Sequence, residues 1–435
     1  MRVGVASVSS TCCGALALTC LATAAASESQ KPHPSLLEPT DAYFSEYATL
    51  YDHVGMLADH VRMGAYHDAI KNNERHFKDK VVLDVGTGTG ILSVWAAQAG
   101  ARKVYAVEAT DVAKHAEKLI AAHGFASTVT VLQGKMEEIH LPENVDVIVS
   151  EWMGYFLLRE SMVQSVLLAR DRWLAEGGVM YPSAARLQLA PLDHPSFAVS
   201  RGDQVEASMH SWDDLAAEVL ERYSLDLRVL TRAYRKEHED YSYRQAWQGG
   251  VPGRSVSGPP LTLLDVDMHT VHFEELFGWK KELRVESASV DAPVSALVGW
   301  FDVEFCADPD EAVGTQCRML STSPNEEYTH WAHTALLLRP PMTRPELGVG
   351  LDQSRKSHHD LNLTLEYHAG PGQPDRAAVS AAGEVAEVRT HASYAITNDF
   401  KGHLDEDEEG GEQARHEAYP GDEEGEGQHE VVEED

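Results

Sequence analysis

Lys80-Val-Val-Leu-Asp84-Val-Gly86-Thr-Gly88-Thr-Gly90-Ile91 joins a short, apolar, β-rich run to the start of a helical pattern through three alternate glycines. A strand that hands over to a helix in this way predicts a tight turn whose bare backbone can approach a ligand closely. The alternation continues toward the C-terminus. Ile91 to Ala99 reads as the helix, Lys103 to Val107 as a second strand, Val112 to Ala122 as a second helix, Thr128 to Leu132 as a third strand and Val145 to Val149 as a fourth. Strands alternating with helices of this length predict an α/β unit built on a parallel sheet covered on both faces. On the other side, Tyr43, Tyr47, Leu50, Val54, Leu57 and Val61 recur at three- and four-residue steps, which predicts amphipathic helices ahead of the sheet.

Past Tyr181-Pro182 the pattern changes. Arg186 to Ala190, Ala296 to Phe305, Ala335 to Leu338 and Asn362 to Tyr367 are short alternating or β-branched runs without regular helices between them, so this half reads as an antiparallel β unit. Between Val199 and Gln248, Trp212, Leu215, Val219, Leu220 and Tyr223 fall at helical spacing and predict a helical insertion, followed by a flexible loop over Gly249 to Pro260. The expected organisation is therefore a leader and linker over 1–40, an α/β unit with its leading helices over 41–185, a β unit with its helical insertion over 186–400, and a tail over 401–435.

The tail is dominated by Asp, Glu and Gly and cannot bury enough apolar surface to offset its ordering entropy, so it is expected to be disordered. Met1 to Ala26 carries Arg2, no acidic residue and an apolar run around Ala15 to Ala22, which resembles a targeting leader, secretory or organellar. Without such an address the expected location is cytoplasm and nucleus. No apolar run beyond the leader approaches the roughly 18 to 20 residues of a membrane span, and no membrane partner is expected. Thirty-six Lys and Arg against 69 Asp and Glu give a formal net charge of -33, which repels phosphate backbones and favours a cationic partner over direct contact with nucleic acid. Cys12, Cys13 and Cys20 lie near the N-terminus, leaving Cys306 and Cys317; neither a disulfide framework nor a metal cluster is legible, and no metal is expected.

The glycine loop and Glu108, which ends the second strand, indicate a nucleoside, because an acidic side chain there accepts hydrogen bonds from ribose hydroxyls. The dinucleotide fingerprint places its third glycine one position later, where this chain has Ile91, and no Gly-Lys-Ser/Thr ending offers a triphosphate cradle. A nucleoside without phosphates that carries an α-amino acid suits the loop after Asp84 better. S-adenosylmethionine fits that description.

Tyr43-Phe-Ser-Glu-Tyr47, Val81 to Ile91, Val107-Glu108, Ser150-Glu151-Trp-Met-Gly-Tyr155 with Glu160, and Thr329-His330-Trp331 stand in the order found in the protein arginine N-methyltransferases, which the chain resembles over roughly residues 41 to 400. It looks closest to the plant and algal branch called arginine methyltransferase ten. The resemblance implies a Rossmann-like S-adenosylmethionine-dependent methyltransferase domain, a following β-barrel-like domain with a helical dimerisation arm at about 199–248, a homodimer, and protein substrates whose arginines lie in glycine-arginine-rich or histone-like segments. By position it implies that Arg62 clamps the cofactor carboxylate, Asp84 contacts its amino-acid end, Gly86, Gly88 and Gly90 shape the loop, Glu108 holds the ribose, Glu137 the adenine region, and Tyr43 with Tyr47 closes over the site. Met56 and His53 match the members that make asymmetric dimethylarginine, the type I enzymes.

The chemistry asked of Glu151 and Glu160 follows from arginine itself. Its guanidinium is protonated with delocalised charge, and a delocalised cation is a poor nucleophile. Two carboxylates can fix the guanidinium plane and draw positive charge toward the nitrogens they bind, leaving one nitrogen to face the methyl donor. Glu151 and Glu160 bracket Trp152-Met-Gly-Tyr155, and a turn at Gly154 is expected to aim both at one point. The resemblance makes His330 the proton acceptor and Asp59 its orienting partner. The same motifs argue against a small-molecule methyltransferase or a catalytically idle scaffold built on this sheet.

Overall fold

The computed structural model describes Phe44 and residues 47–160, 162–193, 195–286, 293–306, 317–342, 346–355, 361–368 and 389–396, all within one compact unit, Pro39–Asp435. The expected leader and linker over 1–40, Tyr43, and the acidic tail over 401–435 lie outside these residues.

Helices α1 (Val54–Ala58), α2 (His60–Lys71) and α3 (Glu74–Phe77) precede the sheet. Asp59 ends α1 and starts α2: its Oδ1 accepts the Arg62 backbone N–H at 2.9 Å, satisfying one of the free donors of the first turn. Strand β1 (Val81–Val85) is buried at every position. This absence of alternation is what a central parallel strand covered on both faces requires. Around it run α4 (Ile91–Gln98), β2 (Lys103–Glu108), α5 (Ala113–Ala122), β3 (Val129–Gln133), β4 (Val145–Val149), α6 (Val163–Trp173) and β5 (Leu174–Tyr181). The strands lie in the order β3-β2-β1-β4-β5, all parallel. Strand order reverses beside β1, and ligands of open α/β sheets bind outside the carboxyl ends of the strands at such a point. The fifth strand is hidden from sequence reading by Glu176, Gly177 and Gly178, three poor strand formers in its middle.

The second half is antiparallel. Strands β6 (Ala184–Leu192), β7 (Trp247–Gly249), β8 (Leu261–Asp267), β10 (Val294–Phe305) and β12 (His333–Met342) form one sheet in the order β7-β12-β10-β6-β8, with β11 (Arg318–Ser321) also paired to β10; β9 (Lys280–Glu286), β13 (Glu346–Arg355), β14 (Leu361–His368) and β15 (Arg389–Ile396) form another in the order β15-β14-β13-β9. The Tyr394 hydroxyl donates to the Leu337 carbonyl across them, giving the barrel-like unit expected. The helical insertion is a hairpin of α7 (Pro195–Tyr223) and α8 (Thr231–Arg244). Trp212 stacks on Tyr234 at 4.3 Å and donates to Thr231 Oγ1 at 2.9 Å, which locks the pair together. Its turn leaves Tyr223, Leu225, Val229 and Leu230 exposed.

Two expectations change. Gly249 to Pro260 is not a free loop: Val251 N–H donates to His333 Nδ1 and Ser257 N–H to the Pro191 carbonyl, both at 2.9 Å, and such long-range backbone ties leave no local signature. Cys306 and Cys317 form a disulfide across the facing ends of β10 and β11, a pairing that two cysteines in sequence did not disclose. Among the described residues, no helix is long and apolar enough to cross a membrane and no group of His, Cys, Asp or Glu is arranged to hold a metal.

Candidate active site

A cavity of about 590 Å³ opens at the carboxyl ends of β1, β2 and β4. Gly86 and Gly88 follow β1 with φ of 70° and 53°, a region that costs other residues free energy. The Gly88 N–H donates to Glu108 Oε2 at 2.9 Å, while Thr110 gives its N–H and hydroxyl to Glu108 Oε1, each at 2.8 Å. Glu108 is thereby fixed at the end of β2 where an acceptor for ribose hydroxyls belongs. Glu137 lines the same wall and accepts from Ser165 Oγ at 2.7 Å. His53, Met56 and Tyr47 also line the cavity, with His53 Nε2 3.2 Å from the Tyr47 carbonyl oxygen.

Asp84 does not reach the cavity. It is fully buried beneath the glycine loop, where its Oδ2 accepts from Thr87 Oγ1 at 2.6 Å and Ser93 Oγ at 2.7 Å. Burial pushes its carboxyl up to about 6, against the pull of those two hydroxyls. The structure thus places Asp84 as a buttress beneath the loop rather than on the cavity wall, where a contact with the cofactor's amino-acid end was expected. Gly90 likewise lies off the cavity; a Cβ there would stand 3.1 Å from that of Ala116, so this glycine serves the packing of helix on loop.

The two glutamates come from one loop after β4, and both line the cavity. Ser150 Oγ donates to the Val85 carbonyl at 2.7 Å and Tyr66 hydroxyl to the Ser150 carbonyl at 2.9 Å, which seats the start of the loop between β1 and α2. The turn falls at Phe156 and Leu157, with φ of 51° and 65°, rather than at Gly154. Gly154 instead permits a close approach: a Cβ there would meet the Arg159 carbonyl oxygen at 1.8 Å. Left-handed residues cost about 1–3 kcal/mol each. Burial of Phe156, Leu157 and Leu158 offsets that cost at about 1.5–3 kcal/mol per side chain. Phe156 packs against β10 where Gly299 has no side chain to obstruct it.

Glu151 Oε2 accepts from Arg62 Nε at 3.1 Å and Nη2 at 2.9 Å, and Glu151 Oε1 is buried without a hydrogen-bond partner. Arg62 Nη1 donates to the Met56 carbonyl at 2.9 Å. Glu160, itself at φ 78°, accepts from the Tyr47 hydroxyl at 2.6 Å and from Arg159 Nη1 at 2.9 Å. From the β unit, His330 enters the cavity beside Trp331, whose Nε1 donates to the Met153 carbonyl at 2.8 Å and so ties it to the glutamate loop. His330 Nδ1 lies 2.7 Å from Asp59 Oδ2, which also accepts the His330 N–H at 2.9 Å. Burial works to raise the Asp59 carboxyl, but the His330 ring and the N–H groups of Arg62 and His330 outweigh it and hold Asp59 below the ordinary carboxylate range. An ionised Asp59 fixes the proton on Nδ1 and leaves Nε2 as the basic atom. Sequence reasoning missed Arg159, Thr110 and Ser165; the first was detectable as the one cation between three buried apolar residues and a candidate catalytic carboxylate.

A nucleoside pocket opening onto paired carboxylates and a histidine defines a methyltransferase of a cationic or weakly nucleophilic nitrogen. Residues 82–178 match a family described as a methyltransferase domain, and residues 197–372 match the arginine methyltransferase oligomerization subdomain. The chain is 43% identical over 339 residues to protein arginine N-methyltransferase PRMT10 of Oryza sativa subsp. japonica, covering 76% of this chain and 89% of that one. The crystal structure of Arabidopsis thaliana protein arginine methyltransferase 10, described as uniquely open, superposes with a TM-score of 0.72 at 38% identity, covering 82% of this chain and all of that one. The Trypanosoma brucei PRMT1 enzyme-prozyme heterotetrameric complex with AdoHcy does so with a TM-score of 0.65 at 29% identity, covering 81% and 100%. This chain belongs to the protein arginine N-methyltransferases, and its methyl donor is S-adenosyl-L-methionine.

Proposed function

We propose that this enzyme makes monomethylarginine and then asymmetric dimethylarginine in glycine-arginine-rich or histone-like protein segments, as a homodimer. The observation that carries the reading is the pair of carboxylates on one cavity: Glu151 with a buried oxygen free of partners, and Glu160 held by Tyr47 and Arg159. A buried unpaired carboxylate oxygen is costly, and a guanidinium N–H would satisfy it.

The residues present fit the donor: Glu108 offers an acceptor for ribose, Arg62 a cation for a carboxylate, and the glycine loop a bare backbone. When bound, S-adenosylmethionine supplies an electrophilic methyl group. Glu151 and Glu160 orient the substrate guanidinium and localise its charge on the nitrogens they hold, so that the remaining nitrogen regains a lone pair. His330 Nε2, its ring fixed by Asp59, takes up the proton released from that nitrogen. Met56 and His53 line the cavity, and both match the members that make asymmetric dimethylarginine, which supports the asymmetric product. The net charge of -33 favours encounter with basic segments. Mass spectrometry of a glycine-arginine-rich peptide after incubation with enzyme and donor should find mono- and asymmetric dimethylarginine; symmetric dimethylarginine would refute the product assignment. The exposed Tyr223, Leu225, Val229 and Leu230 at the tip of the helical hairpin support its use against a second copy. Sedimentation should show a dimer for the full chain and a monomer when the hairpin residues 199–244 are deleted, leaving β7 in place, and a monomeric full chain would remove the dimer.

A further inference from the structure

The loop that presents Glu160 carries a cation next to it. Arg159 is buried, with 5% of its side chain exposed against 11% for Glu160, and its Nη1 donates to Glu160 Oε1 at 2.9 Å. Its guanidinium carbon stands 5.7 Å from the centre of the Tyr155 ring, and its Nε makes no hydrogen bond. An unpartnered N–H on a buried guanidinium is a cost, and the fold bears it at a position where an apolar residue would continue the run Phe156, Leu157, Leu158.

From this arrangement we infer that Arg159 is a positioning residue for the methyl-transfer reaction, whose guanidinium occupies one edge of the Glu160 carboxylate before substrate arrives and keeps that carboxylate ionised and aimed. The inference rests on the reading of Glu160 as a guanidinium-binding carboxylate.

The charges around Glu160 decide why this cation is needed. From the N-terminal segment comes Tyr47, a neutral donor; from its own loop come Arg159 and Tyr155; across the cavity stand Glu151 with Arg62 and His330 with Asp59. Arg62 pairs with Glu151, and the His330 ring with Asp59. Two carboxylates lining one cavity repel each other, and a proton taken up by one of them would abolish its ability to bind a cationic guanidinium through both oxygens. Arg159 supplies the compensating charge on the Glu160 side as Arg62 does on the Glu151 side. With Tyr47 on Oε2 and Arg159 on Oε1, the carboxylate plane is set from both edges, so the approaching guanidinium finds a fixed acceptor.

The test compares Arg159→Met and Arg159→Lys in the full-length enzyme, reading kcat and KM on a glycine-arginine-rich peptide from pH 5.5 to 9.5 together with donor affinity by calorimetry. Removing the charge should move the acid limb of kcat/KM upward by about one to three pH units, the range by which an adjacent opposite charge shifts a carboxylate. Arg159→Lys retains the charge and should keep the limb within about half a unit of the original while lowering kcat, because the planar fork that aims the carboxylate is gone. Donor affinity should be unchanged in both. An Arg159→Met enzyme that loses activity equally at every pH, or loses none, overturns the inference and leaves a packing role. Should the methionine variant fail to fold, the lysine variant decides: an acid limb displaced by a full unit despite the retained charge overturns the inference, and an unmoved limb with reduced kcat supports it. Glu160→Gln separates the two readings, since an active Glu160→Gln enzyme defeats the assignment of Glu160 itself, whereas an inactive one beside an unshifted Arg159→Met profile defeats only the role of Arg159.

Discussion

Glu160→Gln is expected to lower turnover on a glycine-arginine-rich peptide by about two to three orders of magnitude, the usual cost of removing one fixed electrostatic contact to a reacting group. Donor affinity should change by less than about threefold. Glutamine keeps the shape of the side chain but loses the charge, and it turns one acceptor into a donor, so one edge of the guanidinium meets an N–H instead of an oxygen. The loss falls on kcat because the missing interaction is the one that localises charge as the nitrogen becomes nucleophilic. Calorimetry with donor alone distinguishes this from misfolding, because the donor wall is formed by Glu108, Glu137 and the glycine loop. A variant that turns over as the parent does would end the two-carboxylate mechanism.

Gly88→Val should abolish donor binding, lowering affinity by about 100-fold or more. Gly88 has φ of 53°, where a β-branched residue is strained by about 1–3 kcal/mol, and its Cβ would stand 3.1 Å from His53 Cε1 before the branch is added. To relieve that contact the loop must shift, and its N–H would then leave Glu108 Oε2. Three kcal/mol corresponds to a factor on the order of 100 in affinity. Unchanged donor affinity by calorimetry would show that the cavity is not the donor site.

The sequence discloses the parallel sheet well because β1 and the helix after it are local patterns with strong periodicity, and the glycine loop between them admits few conformations. What remained illegible has a common cause. Asp84 lies in a motif that invites a ligand contact, yet whether a strand residue points to the ligand or into the layer beneath depends on which face the neighbouring helices cover. The turn at Phe156 and Leu157 opposes local preference and persists because burial against β10 stabilises it. Arg159 acquires meaning only from its contact with the adjacent carboxylate. His330 stands far from the other site residues in the chain, and a lone histidine beside a tryptophan carries no sign of the aspartate that orients it. The family's motifs, not its spacing, brought it into the reading.

The contact between Asp59 and His330 joins residues 271 apart in the chain, whereas the Gly88 bond to Glu108 closes only 20. In an otherwise open chain the length-dependent entropy of closing such loops is about 5 kcal/mol for the first and about 3 kcal/mol for the second. The difference is also one of time. Every residue that lines the donor wall, from Phe44 to Ser165, is synthesised before His330, and at roughly 5–20 residues per second the intervening stretch takes on the order of ten to thirty seconds. A newly made molecule thus possesses the donor wall and both carboxylates well before it possesses the base, so the proton acceptor is the last part of the site to be completed.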